Sequence, residues 1–267
     1  MKTALVLATS LAVALPALAQ DPAGDWDVNR DAEKNLTIAY TVFDNGLGVG
    51  ARCSGGNYQV LISGLPTTTG TSRPLRIAFR DGEFGDQRWS VGDDATVAIS
   101  EYPGSLARSL RKGGRMQIVV PSGGEVGKII RYVIDLPSSG AAIDETLTAC
   151  GRPLVDPRDA ELAALDDKGL PANLRWAREP LITYPEQQTY RRGFAILTCL
   201  TRPDGYLRDC AVETENPPGG GFGPAALNGT RRARVVNQEG GPVPLQFIAF
   251  RANFNIDGEP ASPRRLR

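Results

Sequence analysis

From Leu36 to Leu136, apolar residues fall at every second position in short runs, and this alternation constrains the fold more than any other feature of the chain. Leu36, Ile38, Tyr40 and Val42 share one side of an extended segment, and Tyr58, Val60 and Ile62 share another. Leu75, Ile77 and Phe79 alternate with Arg76, Ala78 and Arg80, and Met116, Ile118 and Val120 form a fourth set. A side-chain period of two marks a strand with one face on a core and the other in water. Asp44-Asn45-Gly46, Ser54-Gly55-Gly56 and the Thr/Gly run from Thr67 to Ser72 interrupt the runs, as turns do in an antiparallel sandwich or barrel. A β-rich domain over residues 20–153 is therefore expected, with one helix at Ser105 to Lys112, where Leu106 and Leu110 are spaced i,i+4 and Gly113 stops the helix.

The first nineteen residues read as a secretory signal peptide. Lys2 supplies the positive n-region, Ala4 to Leu15 the apolar h-region, and Ala17-Leu18-Ala19 a small-x-small cleavage site before Gln20. The apolar run ends at Pro16 and acids follow at Asp21, Asp25 and Asp27, whereas spanning a bilayer takes about 20 apolar residues. No stable membrane anchor is expected after cleavage. Lys and Arg together number 30, as do Asp and Glu, so no strong field draws the chain to nucleic acid.

Export places the four cysteines, Cys53, Cys150, Cys199 and Cys210, where thiols oxidise, and two disulfides are expected. There is no CxxC pair and no His, which removes the usual ligands of zinc, haem and copper, so no metal and no cofactor is expected. Cys53 and Cys150 bracket the β-rich segment as a staple over a long loop.

Residues 154–173 read as a short, mostly polar helical linker, with Asp156 capping a helix from Pro157 and Gly169 past its end. Beyond it the pattern changes. Trp176 to Tyr184 is an extended lead-in, Pro185 to Arg192 a short helix, and Phe194 to Thr201 a strand. Tyr206 to Glu213 is its hairpin partner across Pro203-Asp204-Gly205, Ala225 to Val235 a helix, and Val243 to Asn255 a closing strand. With Asp204-Gly205 as a two-residue turn, Pro203 faces Tyr206 and Cys199 falls opposite Cys210, close enough to bridge. A bulged turn shifts this register by one.

Residues 174–267 resemble the C-terminal domain of the TonB energy-transducer family. The resemblance is carried by Tyr184-Pro185, by Gly193 opening FAILTCLT, by Asp204-Gly205 before LRDCAVET, by Phe222-Gly223 with Ala225-Ala226-Leu227, and by Gly241-Pro242-Val243-Pro244 before LQFIAFRANFNI. It implies a small α+β domain with helices on one face of an antiparallel sheet; with the β-rich antiparallel domain before it, the whole chain is expected to be α+β. It also implies partner binding by β-strand addition at a sheet edge, through Tyr184, Pro185 and the last strand at Leu245, Gln246, Phe247, Ile248, Ala249 and Phe250. The family's partner is a segment of an outer-membrane transporter. By this resemblance the protein is expected in the periplasm, binding a protein partner in TonB-dependent transport, with self-association in an envelope role as the alternative. Full transducers keep an N-terminal membrane helix and a Pro-rich spacer, where this chain has a β-rich segment.

Enzymatic activity is not expected. Ser109-Leu110-Arg111-Lys112 has SxxK spacing, but SDN and KTG motifs are missing. GxSxG is absent, and without His no Ser-His-Asp site can form. The acid pairs Asp93-Asp94 and Asp166-Asp167 read as solvated turns, leaving a carboxylate hydrolase as the least supported reading. Gly219 to Gly223 lacks the Lys-Ser/Thr of a phosphate loop, and Arg231, Arg232 and Arg234 suit an exposed helix end.

Overall fold

The structure, a computed structural model, describes residues 24–121, 128–164, 170–185 and 190–255. The expected signal segment, the expected helix end at Gly169 and the tail beyond 255 lie outside the described residues, as do residues 186–189 of the helix expected at 185–192, whose last residue, Arg192, is in a strand.

The fold is β-rich, with every strand pairing antiparallel. A nine-stranded sheet comprises β1 (Asp27–Asp31), β2 (Leu36–Val42), β3 (Gly48–Ser54), β4 (Asn57–Ser63), β5 (Ser72–Phe79), β6 (Gly85–Val91), β7 (Ala98–Ser100), β8 (Gly114–Val120) and β9 (Ile130–Leu136). Its spatial order is β1-β2-β3-β4-β7-β6-β5-β8-β9. The period-two runs of the sequence are β2, β4, β5 and β8, and Val60, Ile62, Leu75, Met116 and Ile118 are fully buried among them; in β2 the buried residue is Ala39, and Tyr40 and Val42, on the side expected to face the core, are exposed. Two helices, α1 (Pro103–Leu110) and α2 (Ala141–Ala149), pack on each other, α1 also on β4 and α2 on β2 and β3. Gly113 ends α1 at φ +61°, where a Cβ would stand 2.6 Å from the carbonyl oxygen of Pro137. The hairpin β3–β4 is held to α2 by the Cys53–Cys150 disulfide.

The remaining elements are α3 (Asp159–Ala164), β10 (Leu174–Arg178), β11 (Arg192–Thr201), β12 (Leu207–Asn216), α4 (Phe222–Gly229), a 3₁₀ turn (Thr230–Arg232), β13 (Arg234–Asn237) and β14 (Phe247–Asn255). They form a three-stranded sheet in the order β12-β11-β14 and a two-stranded sheet β10-β13. Apolar side chains gather in two clusters. One, from Trp26 to Leu147, fills the nine-stranded sheet, and the other packs Leu197, Ile248, Phe250 and Phe254 with Phe222 and Ala226 of α4.

Several details depart from the sequence reading. The helix expected to run to Val235 ends at Gly229, and Arg234–Asn237 is strand, paired with Leu174–Arg178. The closing strand starts at Phe247 instead of Val243, because Pro242 and Pro244 supply no N–H to a ladder. The 204–205 turn is a three-residue loop in which Arg202 faces Tyr206: the Gly205 N–H donates to the Arg202 carbonyl and the Arg202 N–H to the Tyr206 carbonyl. That displaces the register by one at Leu200↔Arg208, and an extra residue on β12 restores it by Thr198↔Ala211. Asp209, at φ +50°, takes up the bulge, so Cys199 still bonds Cys210.

The polar alternates of β4 are also different from expectation. Asn57 and Gln59 are buried, so this strand is covered on both faces instead of half-buried. Their cover is β12.

Candidate functional site

The three-stranded sheet presents two edges and two faces, and its surroundings treat them differently. One face, carrying Leu197, Ile248 and Phe250, is closed by α4 and by the two-stranded sheet. The other carries Thr198, Glu213 and Arg251, all buried against the nine-stranded region and the segment after it, whereas the Glu215 carboxylate turns to the α4 side and accepts from the N–H groups of Gly219 and Gly223. Arg251 donates to Glu101 at 2.8 Å and to the Ser90 hydroxyl, and its guanidinium lies 3.7 Å from the ring centre of Phe194. Burial pushes the Arg251 pKa down, and Glu101 opposes that by holding the charged form.

A second ionic cluster forms where the sequence suggested only a polar linker. Arg108 of α1 makes paired bonds to Asp159 at 2.6 Å each and reaches Asp156 at 3.5 Å. Arg158 bridges Asp156 at 2.8 Å and Glu213 at 3.1 Å, and Thr198 donates to the same Glu213 oxygen at 2.6 Å. Charges buried this way need every partner in place. The linker is therefore a packed joint; the acids and arginines that look solvated in the sequence are the two halves of an interface. Asp156 does not cap a helix from Pro157: the helix begins at Asp159, and the Asp156 carboxylate accepts from the Arg158 N–H at 3.0 Å in the turn that precedes it.

The β12 edge is filled from Val212 to Glu215. Glu215 turns its main-chain groups away from β11, and Asn57 accepts its N–H at 2.9 Å and donates to its carbonyl at 2.8 Å, with Gln59 donating to the same carbonyl at 2.9 Å. Arg152 donates to the carbonyls of Val212 and Glu213 at 2.7 and 3.1 Å.

The β14 edge is different. Thr201 donates its N–H to the Gln246 carbonyl at 3.0 Å, and from that pair the antiparallel alternation aims the main-chain groups of Ile248, Phe250, Ala252 and Phe254 at β11. Those of Phe247, Ala249, Arg251 and Asn253 face away, and among the described residues β14 has no strand on that side. The edge is lined by side chains: Ala249 is 2 % exposed, while Phe247 and Asn253 are half-buried.

The residues singled out from the sequence for partner binding thus occupy distinct places. Ile248 and Phe250 are core, Phe250 packing edge-on against Trp176 at 5.6 Å. Phe247 and Ala249 carry the outward main-chain groups. Gln246 is tied to Thr201, its N–H donating to Oγ1 at 2.9 Å, and Leu245 is 61 % exposed. Tyr184 packs edge-on against Phe222 and Phe254, 5.9 Å from each, and donates its hydroxyl to the Tyr190 carbonyl. Pro185 faces Gly221, at the start of α4. Sequence reasoning missed Asn57, Gln59 and Arg152; the two polar residues alternating with the β4 core were the available signal.

Among the described residues, no group of three or more His, Cys, Asp and Glu is placed to hold a metal ion, and no helix is long and apolar enough to cross a membrane. An open depression of about 520 Å³ lies beside the Cys53–Cys150 bridge, between Arg30, Asn35, Thr37 and Gly55. Two disulfides fit a protein that folds outside the cytoplasm.

No family model matches the chain, and no curated protein matches it. Among solved structures, it is similar to invasion associated protein B from Bartonella henselae, at 13 % identity and a TM-score of 0.36, over 49 % of this chain and 97 % of that one.

Proposed function

We propose that this is a periplasmic, non-enzymatic binding protein whose TonB-like α+β C-terminal region takes up an extended segment of a protein partner along β14. An outer-membrane transporter segment is the partner this assigns, and TonB-dependent transport the process. One observation carries the reading: among the described residues β14 ends its sheet with the main-chain groups of Phe247, Ala249, Arg251 and Asn253 facing away from β11, while the opposite edge is filled from Val212 to Glu215 by Asn57, Gln59 and Arg152. Strand addition draws on main-chain hydrogen bonds, so it needs an unpaired edge more than particular side chains. Entry requires the side chains over Ala249 to move aside. The same edge serves self-association, the second reading, because unpaired edges also pair with copies of themselves.

The test is amide hydrogen exchange on the full chain with extended transporter-derived peptides. Binding is expected to protect the N–H groups of Phe247, Ala249, Arg251 and Asn253, and an alternately N-methylated peptide, which lacks donors, is expected to give no protection. Ala249→Pro removes an outward donor without touching the β11 ladder and should weaken binding. Protection spread elsewhere, with these four amides unchanged, would sink the proposal. Protection that rises with protein concentration in the absence of peptide would transfer the edge to self-association.

A further inference from the structure

One buried cation of the nine-stranded sheet has no acceptor among the described residues. Arg73 lies on β5 on the same side as Leu75 and Ile77, the side that faces the core, and is only 4 % exposed. Its Nε and Nη1 are enclosed, and neither has a hydrogen-bond partner. The two other arginines buried to this degree, Arg108 and Arg251, each hold a carboxylate. Burial pushes the Arg73 pKa down, and the Tyr132 phenol is the one ionisable group among the described residues that works against it.

The surroundings of this guanidinium are apolar, and one side of its strand is open. The register places Trp89 of β6 directly opposite Arg73, and Trp89 is fully buried. Toward β8 the ladder runs from Phe79↔Met116 to Arg76↔Val119 and goes no further, and Pro74 has no N–H to extend it. Among the described residues Arg73 therefore has a paired strand on one side only. At the same end of the sheet, Ile130 of β9 pairs with Val120, the last residue of β8. Ile130 and Tyr132 pack on the apolar cluster and are half-buried, so the cluster meets solvent here.

A guanidinium stays charged in proteins, so Arg73 cannot relieve its burial by losing a proton. A buried charge with no partner destabilises a fold, and breaches of this kind persist where function needs them. Trp26 Nε1, enclosed in the same apolar cluster, is a second donor with no acceptor. Acceptors are what this interior lacks.

We infer that Arg73 binds the carboxylate of a small apolar monocarboxylate, which enters beside β5 where the β8 ladder ends. The inference is independent of strand addition at β14. A guanidinium offers a carboxylate two parallel hydrogen bonds, and their electrostatic part strengthens where water is excluded. Trp89, Leu75, Ile130 and Tyr132 suit an aliphatic or aromatic body beyond the carboxylate. A phosphate or sulfate dianion suits the place less, because its second charge would leave water with no second cation to meet it.

The experiment is urea unfolding of the full chain with benzoate and with benzamide, the same ring with and without the charge, at matched ionic strength. Benzoate is expected to raise the midpoint in a saturable way, and benzamide to leave it unchanged. Arg73→Met should weaken benzoate binding at least about tenfold, the scale of one hydrogen bond to a charged group. Arg73→Gln, which keeps a polar side chain, should do the same. Without benzoate, Arg73→Met should raise the midpoint, since an apolar chain of similar length replaces an unpaired charge. A guanidinium that serves only the fold gives the opposite sign, so a lower midpoint overturns the inference. It is also overturned by the absence of a benzoate shift, by equal shifts with benzoate and benzamide, or by a benzoate shift that survives both substitutions. Phosphate or sulfate raising the midpoint as far as benzoate does overturns the apolar monocarboxylate. None of these outcomes bears on the β14 edge, whose amides are read separately.

Discussion

Asn57 holds the main chain of Glu215 at both ends of one residue, its Nδ2 donating to the carbonyl and its Oδ1 accepting from the N–H. A neighbouring strand would offer that same pair of bonds. A side chain of the nine-stranded sheet thus stands where a fourth strand would otherwise join the three-stranded one.

Asn57→Ala, combined with Gln59→Ala, is expected to lower unfolding free energy by about 1–3 kcal/mol, because a buried peptide group loses its partners. It should also let copies of the chain pair through β12. Urea unfolding measures the first effect and light scattering across concentration the second. Unchanged stability together with a monomer at every concentration would show that Asn57 does not guard this edge.

The Arg251–Glu101 pair supports a second prediction. Both side chains are buried, and removing one takes from the other its charged partner at 2.8 Å. Arg251→Ala is expected to cost about 3–5 kcal/mol, while Arg251→Met with Glu101→Gln should cost much less than the two single changes added together. Arg251→Lys should recover only part of the loss, since an ammonium cannot stack on the Phe194 ring as the planar guanidinium does. A double-mutant cycle by chemical denaturation checks this; strict additivity would refute a coupled pair.

These two relationships mark where the sequence stopped being readable. The apolar alternation of Tyr58, Val60 and Ile62 pointed to a strand and its core face, because burial of that face depends only on local period. The fate of Asn57 and Gln59 depended on a segment more than 150 positions away, for which alternation carries no signal. Cys199 and Cys210 were placed opposite each other on a two-residue turn that the chain does not use; the Asp209 bulge offsets the longer loop. The edge character of β14 was expected only through the family resemblance. Nothing in its own residues tells a central strand from an edge, since both read as continuous apolar runs.

Acid should weaken the joint through Asp156. Burial works to raise its pKa, but hydrogen bonds from the Arg158 side chain and N–H, with the charges of Arg158 and Arg108, outweigh that and hold it below the ordinary value. A carboxylate depressed in the folded state stabilises fully above its unfolded pKa, about 3.9, and that contribution is lost as pH falls through the lower folded value. The unfolding midpoint is therefore expected to hold from pH 7 to about 5 and to fall below about 4. Asp156→Asn should start lower at pH 7 and fall less steeply in acid. Parallel curves for the two proteins would exclude Asp156 as a source of the acid sensitivity.

The disulfides offer the last comparison, since they close loops of very different length. Cys53 and Cys150 are 97 positions apart, and Cys199 and Cys210 are 11 apart. Loop-closure entropy assigns about 4–5 kcal/mol to the first and about 3 kcal/mol to the second. The longer bridge also fastens the β3–β4 hairpin to α2, and β4 is the strand that carries Asn57 and Gln59. Replacing Cys53 and Cys150 by Ser should therefore lower stability more than replacing Cys199 and Cys210. It should also speed amide exchange at Glu215, whose N–H depends on that strand being held. Faster exchange at Glu215 in the Cys199/Cys210 variant alone would reverse the assignment and make the hairpin bridge the support of this edge.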